Sequence, residues 1–408
     1  MFSRPRALLV CLSIPLTLVG CGDSESRPAC AESTEPGCGA PAPSTDGLGR
    51  HTSAIAWADG RLAAASWDTA RNELVVAFYD GADTPTLRVV DRQSSHETGR
   101  FVRMAPERDG TLQLVWYDAG LGKPAWTRGG LQGFAAPEPI GDGPGIRGTH
   151  VALALDGNDT PHVAFRDETR RALTYATRTP HGWFVETIDT CAGESDCPSR
   201  EDVGEWAQIA LVPGVGGLSL PRIAFYDRQR GDLKLAALNE GGHWTTSTLD
   251  GRDPMSGADT GDVGRFISMA TTPGRTLGLA YFDATRGALR YLGPGEAPRV
   301  IDAGLADTGP RRRVTVGQYP SLRYDTAGQA HIVYTDATTP ALRHITVRAA
   351  GASPPTVLAL PPGAWPALAR VVSQPDGGTR LIGAFGAFGG APHRTSLQTF
   401  ALDIGGSP

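Results

Sequence analysis

The chain has 408 residues, 40% of them hydrophobic and 20% charged, with a formal net charge of −5 at neutral pH. Its 52 glycines and 32 prolines make about a fifth of the sequence, above average usage but below the level of a low-complexity chain. The apolar content excludes disorder throughout, and the negative balance argues against a body built to bind nucleic acid or an anionic membrane.

At the start, Arg4 and Arg6 precede a mostly apolar run of 13 residues from Ala7 to Val19. A bilayer span needs about 20 residues, so the run reads instead as the core of an export signal. It ends in Leu18-Val19-Gly20-Cys21, which resembles the lipobox of bacterial lipoproteins. The resemblance implies that residues 1–20 are removed and Cys21 is lipidated. The expected location is the bacterial cell envelope, at the outer membrane or cell surface, with the lipid as the membrane contact. Residues 21–48 are polar and lack periodicity, so they read as a flexible tether.

Cys11 leaves with the signal, which leaves Cys30, Cys38, Cys191 and Cys197. An even count in an exported chain is expected to form disulfides, here Cys30–Cys38 and Cys191–Cys197. The gaps are longer than those of a zinc knuckle, and no His pair accompanies them, so no metal site is expected from these cysteines.

From residue 49 to 408 the chain repeats itself about every 52 residues. Six segments carry Gly, any residue, then an aromatic or His: Gly99-Arg100-Phe101, Gly148-Thr149-His150, Gly204-Glu205-Trp206, Gly264-Arg265-Phe266, Gly317-Gln318-Tyr319 and Gly363-Ala364-Trp365. Gly49-Arg50-His51 is a looser seventh. An aspartate ends a strand-like run in six repeats, at Asp68, Asp118, Asp167, Asp227, Asp283 and Asp336. It stands 19 residues after the glycine in five repeats and 23 in the fourth. In the last repeat Gly386 takes its place.

Each repeat divides into four short runs of strand-forming composition separated by turn signals such as Asp109-Gly110. In the fifth these fall near 265–271, 276–282, 288–292 and 298–302. Seven four-stranded units predict an all-β, seven-bladed β-propeller of antiparallel blades. The last unit runs out after Thr395–Leu402, so its outermost strand is expected to be missing or borrowed from before residue 50. The pattern resembles bacterial propeller lipoproteins and, in architecture, the sialidase-like group. The Asp-box Ser-x-Asp-x-Gly-x-x-Trp is absent, and Pro221-Arg222-Ile223-Ala224 only echoes the sialidase Arg-Ile-Pro element, so fold likeness does not imply sialidase chemistry.

An aspartate repeated in nearly every blade reads as a turn cap, accepting amide hydrogen bonds after the strand. His162 and His331 share one repeat position and read as structural. No serine-hydrolase elbow, phosphate loop or zincin motif appears, and no catalytic residue is assigned. The aromatic of the glycine motif is expected to ring the channel mouth. The ligand or partner face is therefore placed at Arg100, Trp206, Arg265, Phe266, Tyr319 and Trp365, where aromatic faces suit sugars and guanidinium groups suit anions.

Three long connections, 189–204, 250–264 and 302–317, should build a wall beside blades four and five. The first two are acidic, a spacing that would also suit Ca²⁺; the third carries Arg311-Arg312-Arg313, read as a solvated loop. No other cofactor is expected. The reading is a binding or scaffold module for a protein or polysaccharide. The alternative is a glycoside hydrolase or lyase working at the channel mouth.

Overall fold

Every repeat folds as a local antiparallel meander, because each strand is short, turn-bounded and followed directly by its partner. The computed structural model describes residues 45–405 apart from 82–83, 93–95, 142–146, 189–201, 254–255, 305–314, 376 and 390–394. The signal segment, Cys21, the four cysteines expected to pair, Cys30, Cys38, Cys191 and Cys197, and Arg311–Arg313 lie outside the described residues. In blade five the strands are Val263–Thr271, Leu277–Asp283, Ala288–Leu292 and Arg299–Asp302, hydrogen-bonded in that order. Seven such sheets make a seven-bladed propeller, as the repeat predicts. Nearly all of it is β; a single helical turn, Val215–Gly217, interrupts blade four.

The seven innermost strands are Arg50–Ala56, Thr98–Pro106, Arg147–Leu155, Val203–Pro213, Val263–Thr271, Val316–Tyr324 and Gly363–Ser373. In blades two and six the outermost position is filled by two short pieces, Gly133–Phe134 with Glu138–Pro139, and Gly351–Ala352 with Thr356–Val357. Blade seven has three strands of its own, Gly363–Ser373, Thr379–Phe388 and Thr395–Ile404. Its fourth position is taken by the chain entering blade one: Asp46 bridges Ser396, Gly47 N–H donates to Thr395 O at 2.7 Å, and Leu397 N–H donates to Thr45 O at 3.2 Å. The outer strand is therefore borrowed, and the ring is closed by hydrogen bonds between its two ends. Leu48, just past this closure, is fully buried.

The register corrects the sequence reading of the last repeat: Gly386 faces Ala364 as Phe282 faces Arg265, so Ala387 stands where the other blades carry aspartate and Gly386 stands where they carry Tyr117, Tyr226 or Phe282. A Cβ on Gly386 would stand 2.3 Å from the Gly49 carbonyl oxygen, so the backbones of blades seven and one meet with no room for a side chain.

The core is divided in the same way. Seven apolar clusters appear among the described residues, each built from two neighbouring blades. The cluster joining blades one and two, for example, sets Val76 and Val90 against Val102, Leu114 and Trp116. Burial between blades, rather than at one centre, leaves the axis free to be a tunnel.

Candidate functional site at the channel mouth

The glycine-aromatic motif opens each inner strand and is a bulge. The pairing register jumps on either side of it, as between Arg265 and Ser268. Six of the glycines have φ between 89° and 109°, and all seven aromatic or histidine residues that follow have φ between 49° and 58°. Such left-handed backbone is uncommon for bulky residues, and here it occurs once per blade. The glycine is required by contact as well as by φ. A Cβ on Gly317 would lie 2.6 Å from Leu289 Cα in the third strand of the preceding blade, and one on Gly264 would lie 2.9 Å from Leu233 Cα.

The bulge turns the side chains inward. His51, Phe101, His150, Trp206, Phe266, Tyr319 and Trp365 follow one another around the axis. Successive ring centroids are 4.7, 4.5, 4.6, 4.3, 4.3 and 5.5 Å apart from His51 to Trp365. At the remaining interval the Arg50 guanidinium stands over Trp365 at 5.8 Å. Trp206, Phe266, Tyr319 and Trp365 are thus brought together as the sequence suggested, in tilted contacts that also hold the blades to each other. Burial keeps the histidines neutral. His51 is pushed down to about 3, by desolvation first and then by Arg103, Arg100 and Arg50; His150 is likewise well below its usual value.

Above this ring the mouth carries charged groups. Arg100 and Arg265 do not point freely to solvent. Arg100 pairs with Glu97 at 3.2 Å and lies 5.4 Å over Phe101. Arg265 pairs with Asp262 at 2.5 Å and lies over Tyr226 at 5.4 Å; the Tyr226 hydroxyl donates to Asp262 at 2.8 Å. The Tyr226 phenol is pushed up to about 12, by burial and then by the Asp262 carboxylate.

Between blades three and four the repeat breaks. Arg166 occupies the place held by Tyr117, Tyr226 and Phe282 in other blades, and its side chain is 2% exposed. It reaches Glu168 at 2.9 Å, Asp202 at 2.7 Å and the Val203 carbonyl at 2.9 Å. Thr149 donates a short hydrogen bond to the same Glu168. Glu205, where three other repeats carry arginine, pairs with Arg228 at 3.3 Å. Burial raises its carboxyl above the usual range, with Asp202 and Glu168 adding to the effect against Arg166 and Arg228. Arg166, Glu168 and Arg228 were not singled out from the sequence. The signal for the first was present, since a charged residue replaced an aromatic at one repeat position.

The repeated aspartates do what the sequence predicts. Asp68, Asp118, Asp167, Asp227 and Asp336 each accept two amide N–H groups of the following turn, and Asp283 accepts one, from Arg286 at 2.8 Å. All six are 4% exposed or less. A second set, ending outer strands, was missed. Asp250 accepts from the Tyr281 hydroxyl of the next blade at 2.5 Å, and Asp302 accepts from Tyr334 at 2.5 Å. His162 bonds the Tyr175 hydroxyl at 2.6 Å, and His331 stacks on His344; both pairs are buried inside blades.

Of the three long connections, only 250–264 lies mostly among the described residues. Its carboxylates are engaged locally: Asp253 accepts from Ser256 N–H, Asp259 from Gly261 N–H, and Asp262 holds Arg265. Among the described residues no three His, Cys, Asp or Glu side chains converge as a metal-ligand set.

No family model matches this sequence, and no curated protein matches it. Solved structures with a similar course of the chain include AofleA from Arthrobotrys oligospora, at 12% identity and a TM-score of 0.49, covering 77% of this chain and 88% of that one. Another is the α-L-arabinofuranosidase Arb93A from Fusarium graminearum, at 13% identity and a TM-score of 0.47, covering 76% and 95%. The polysaccharide lyase Uly1 matches at 8% identity and a TM-score of 0.43, covering 86% and 90%.

Proposed function

We propose that this chain is an exported, lipid-anchored binding protein whose propeller takes a polysaccharide at the channel mouth of blades three to five. The observation that carries the reading is the break in the repeat there. Arg166 holds Glu168 and Asp202, the Asp202 carbonyl accepts the Arg228 N–H at 2.8 Å, and Arg228 pairs with Glu205; at the next joint Tyr226, Asp262 and Arg265 carry the charged rim on beside the aromatic ring. Fixed carboxylates and guanidinium groups suit sugar hydroxyls, and an apolar ring below suits a sugar face. The polar groups already hold one another, so little freedom is lost on binding.

The test is a glycan array and a pull-down with the wild-type chain and a Glu205→Ala/Arg228→Ala variant. The reading expects at least tenfold weaker binding in the variant at an unchanged unfolding midpoint. Equal affinity would place the site elsewhere. The anchor is tested separately: Cys21→Ser should abolish lipid labelling and membrane retention.

A second reading, an enzyme acting on polysaccharide, is favoured by Glu205. Burial raises its carboxyl above the usual range, the direction a general acid needs. Glu205→Gln should then remove turnover of a bound polysaccharide while leaving its affinity nearly intact. Tight binding with no product from the wild-type chain supports the first reading.

A further inference from the structure

Below the aromatic ring the tunnel widens into a cavity of 610 Å³ that runs to Ala56, Pro106, Tyr324 and Val371 near the far ends of the inner strands. Three arginines line it: Arg103, Arg323 and Arg370. No aspartate or glutamate does. We infer that this lumen is a binding site for a small oxyanion, a carboxylate or phosphate compound held by these three guanidinium groups, and distinct from the saccharide site proposed at the mouth.

Arg166, Arg290 and Arg343 have side chains 2%, 11% and 10% exposed, and each meets two carboxylates. That is the expected arrangement, since a guanidinium withdrawn from bulk water costs several kcal/mol unless it is paired. The lumen arginines are less withdrawn, half-buried at 103 and 370 and exposed at 323, and they meet carbonyls instead. Arg103 donates to the Val102 carbonyl at 3.0 Å, Arg323 to Leu368 at 2.9 Å and Arg370 to Trp57 at 2.9 Å. None of them pairs with a carboxylate among the described residues.

One carbonyl occupies one of five guanidinium donors, so most of the fork is left for the lumen. The remaining inner-strand edge is satisfied without charge: Ser53, Ser268 and Ser321 accept N–H groups of Met104, Leu322 and Leu368 in the next blade. Serine here serves N–H groups and arginine serves carbonyls, as at Leu368, whose N–H goes to Ser321 and whose carbonyl takes Arg323. The surroundings carry a positive field. Burial lowers Arg103 to about 10 and also lowers Arg323, and Arg103 is among the groups that hold His51 neutral. Arg323 is exposed and lines the cavity, so a small solute can reach it. Guanidinium groups with free forks in a partly desolvated space favour bidentate oxyanions.

The experiment follows thermal unfolding of the full chain, in mild detergent, with citrate, inorganic phosphate, or chloride at matched ionic strength. The inference expects a saturable rise in the unfolding midpoint with citrate or phosphate beyond that with chloride. A response to one oxyanion alone supports it and assigns the class. The rise should vanish in Arg103→Gln/Arg323→Gln/Arg370→Gln, where glutamine keeps a donor for each carbonyl. Should that variant fail to fold, Arg323→Gln alone is titrated by calorimetry with the oxyanion that responded, with at least a fivefold loss of affinity expected. No rise beyond chloride, or an undiminished response in the variants, overturns the inference.

Discussion

The strand-end aspartates and the charged rim of blades three to five are made of the same chemistry, carboxylates beside arginines, yet they do different work. Each aspartate sits at an equivalent position, is buried, and serves its own turn; Asp283, for instance, takes the Arg286 N–H, the Arg286 guanidinium and Arg290. The rim changes from joint to joint, with Arg166 and Asp202 at one and Tyr226, Asp262 and Arg265 at the next, and it leaves Glu205 and Arg228 with side chains 18% and 60% exposed. What recurs in every blade answers a need of every blade. What departs from the repeat is free to serve something else.

That contrast can be broken most sharply at the scaffold. Asp283→Ala removes one of the two carboxylates that hold buried Arg290 and should cost roughly 3–5 kcal/mol in urea unfolding, while Asp227→Ala, which loses two turn amides and a looser pairing with buried Lys234 at 4.0 Å, should cost about 1–3 kcal/mol. Next comes Gly317→Ala. It forces a Cβ against Leu289 at a φ of 94°, and about 2–4 kcal/mol is expected from strain and overpacking together.

A smaller effect should appear in the pH dependence. His344 and His51 are held at about 3 by burial, while in the unfolded chain they titrate near the ordinary imidazole value of 6.5. Between these values the unfolded state binds the extra proton, so stability present above pH 6.5 falls as pH drops toward 3. Replacing one such residue, His344→Gln, should flatten the slope by about 1.4 kcal/mol per pH unit. Asp232 works the other way. Its carboxyl is raised to about 6, by burial and then by Asp227, so the folded state binds its proton first and gains stability as pH falls through 6. An Asp232→Asn variant should therefore steepen the acid loss measured by thermal unfolding at stepped pH. The smallest effect on stability belongs to the rim: Glu205→Gln should shift it by less than about 0.5 kcal/mol. A large destabilisation there would return the rim to the scaffold and erase the contrast.

Much of the candidate site could be read in the chain because the ring aromatics share one motif. Trp206, Phe266, Tyr319 and Trp365 were placed together by repeat position alone. The rim was less legible, since Arg166 and Glu205 become neighbours only when blades three and four pack, and nothing in local sequence measures that distance. Arg103, Arg323 and Arg370 were hidden by abundance, in a chain where all but Lys123 and Lys234 of 38 basic residues are arginine.

The sequence by itself determined the blade count, the strand order within each blade and the turn role of the aspartates, because these depend on contacts between residues close along the chain. Ring closure decided the rest. It borrowed Thr45–Gly47 for blade seven, held seven bulky residues in left-handed backbone, and aimed three arginines into one lumen. Those outcomes depend on surfaces of different blades meeting across an axis, and such meetings are set by packing between repeats rather than within them.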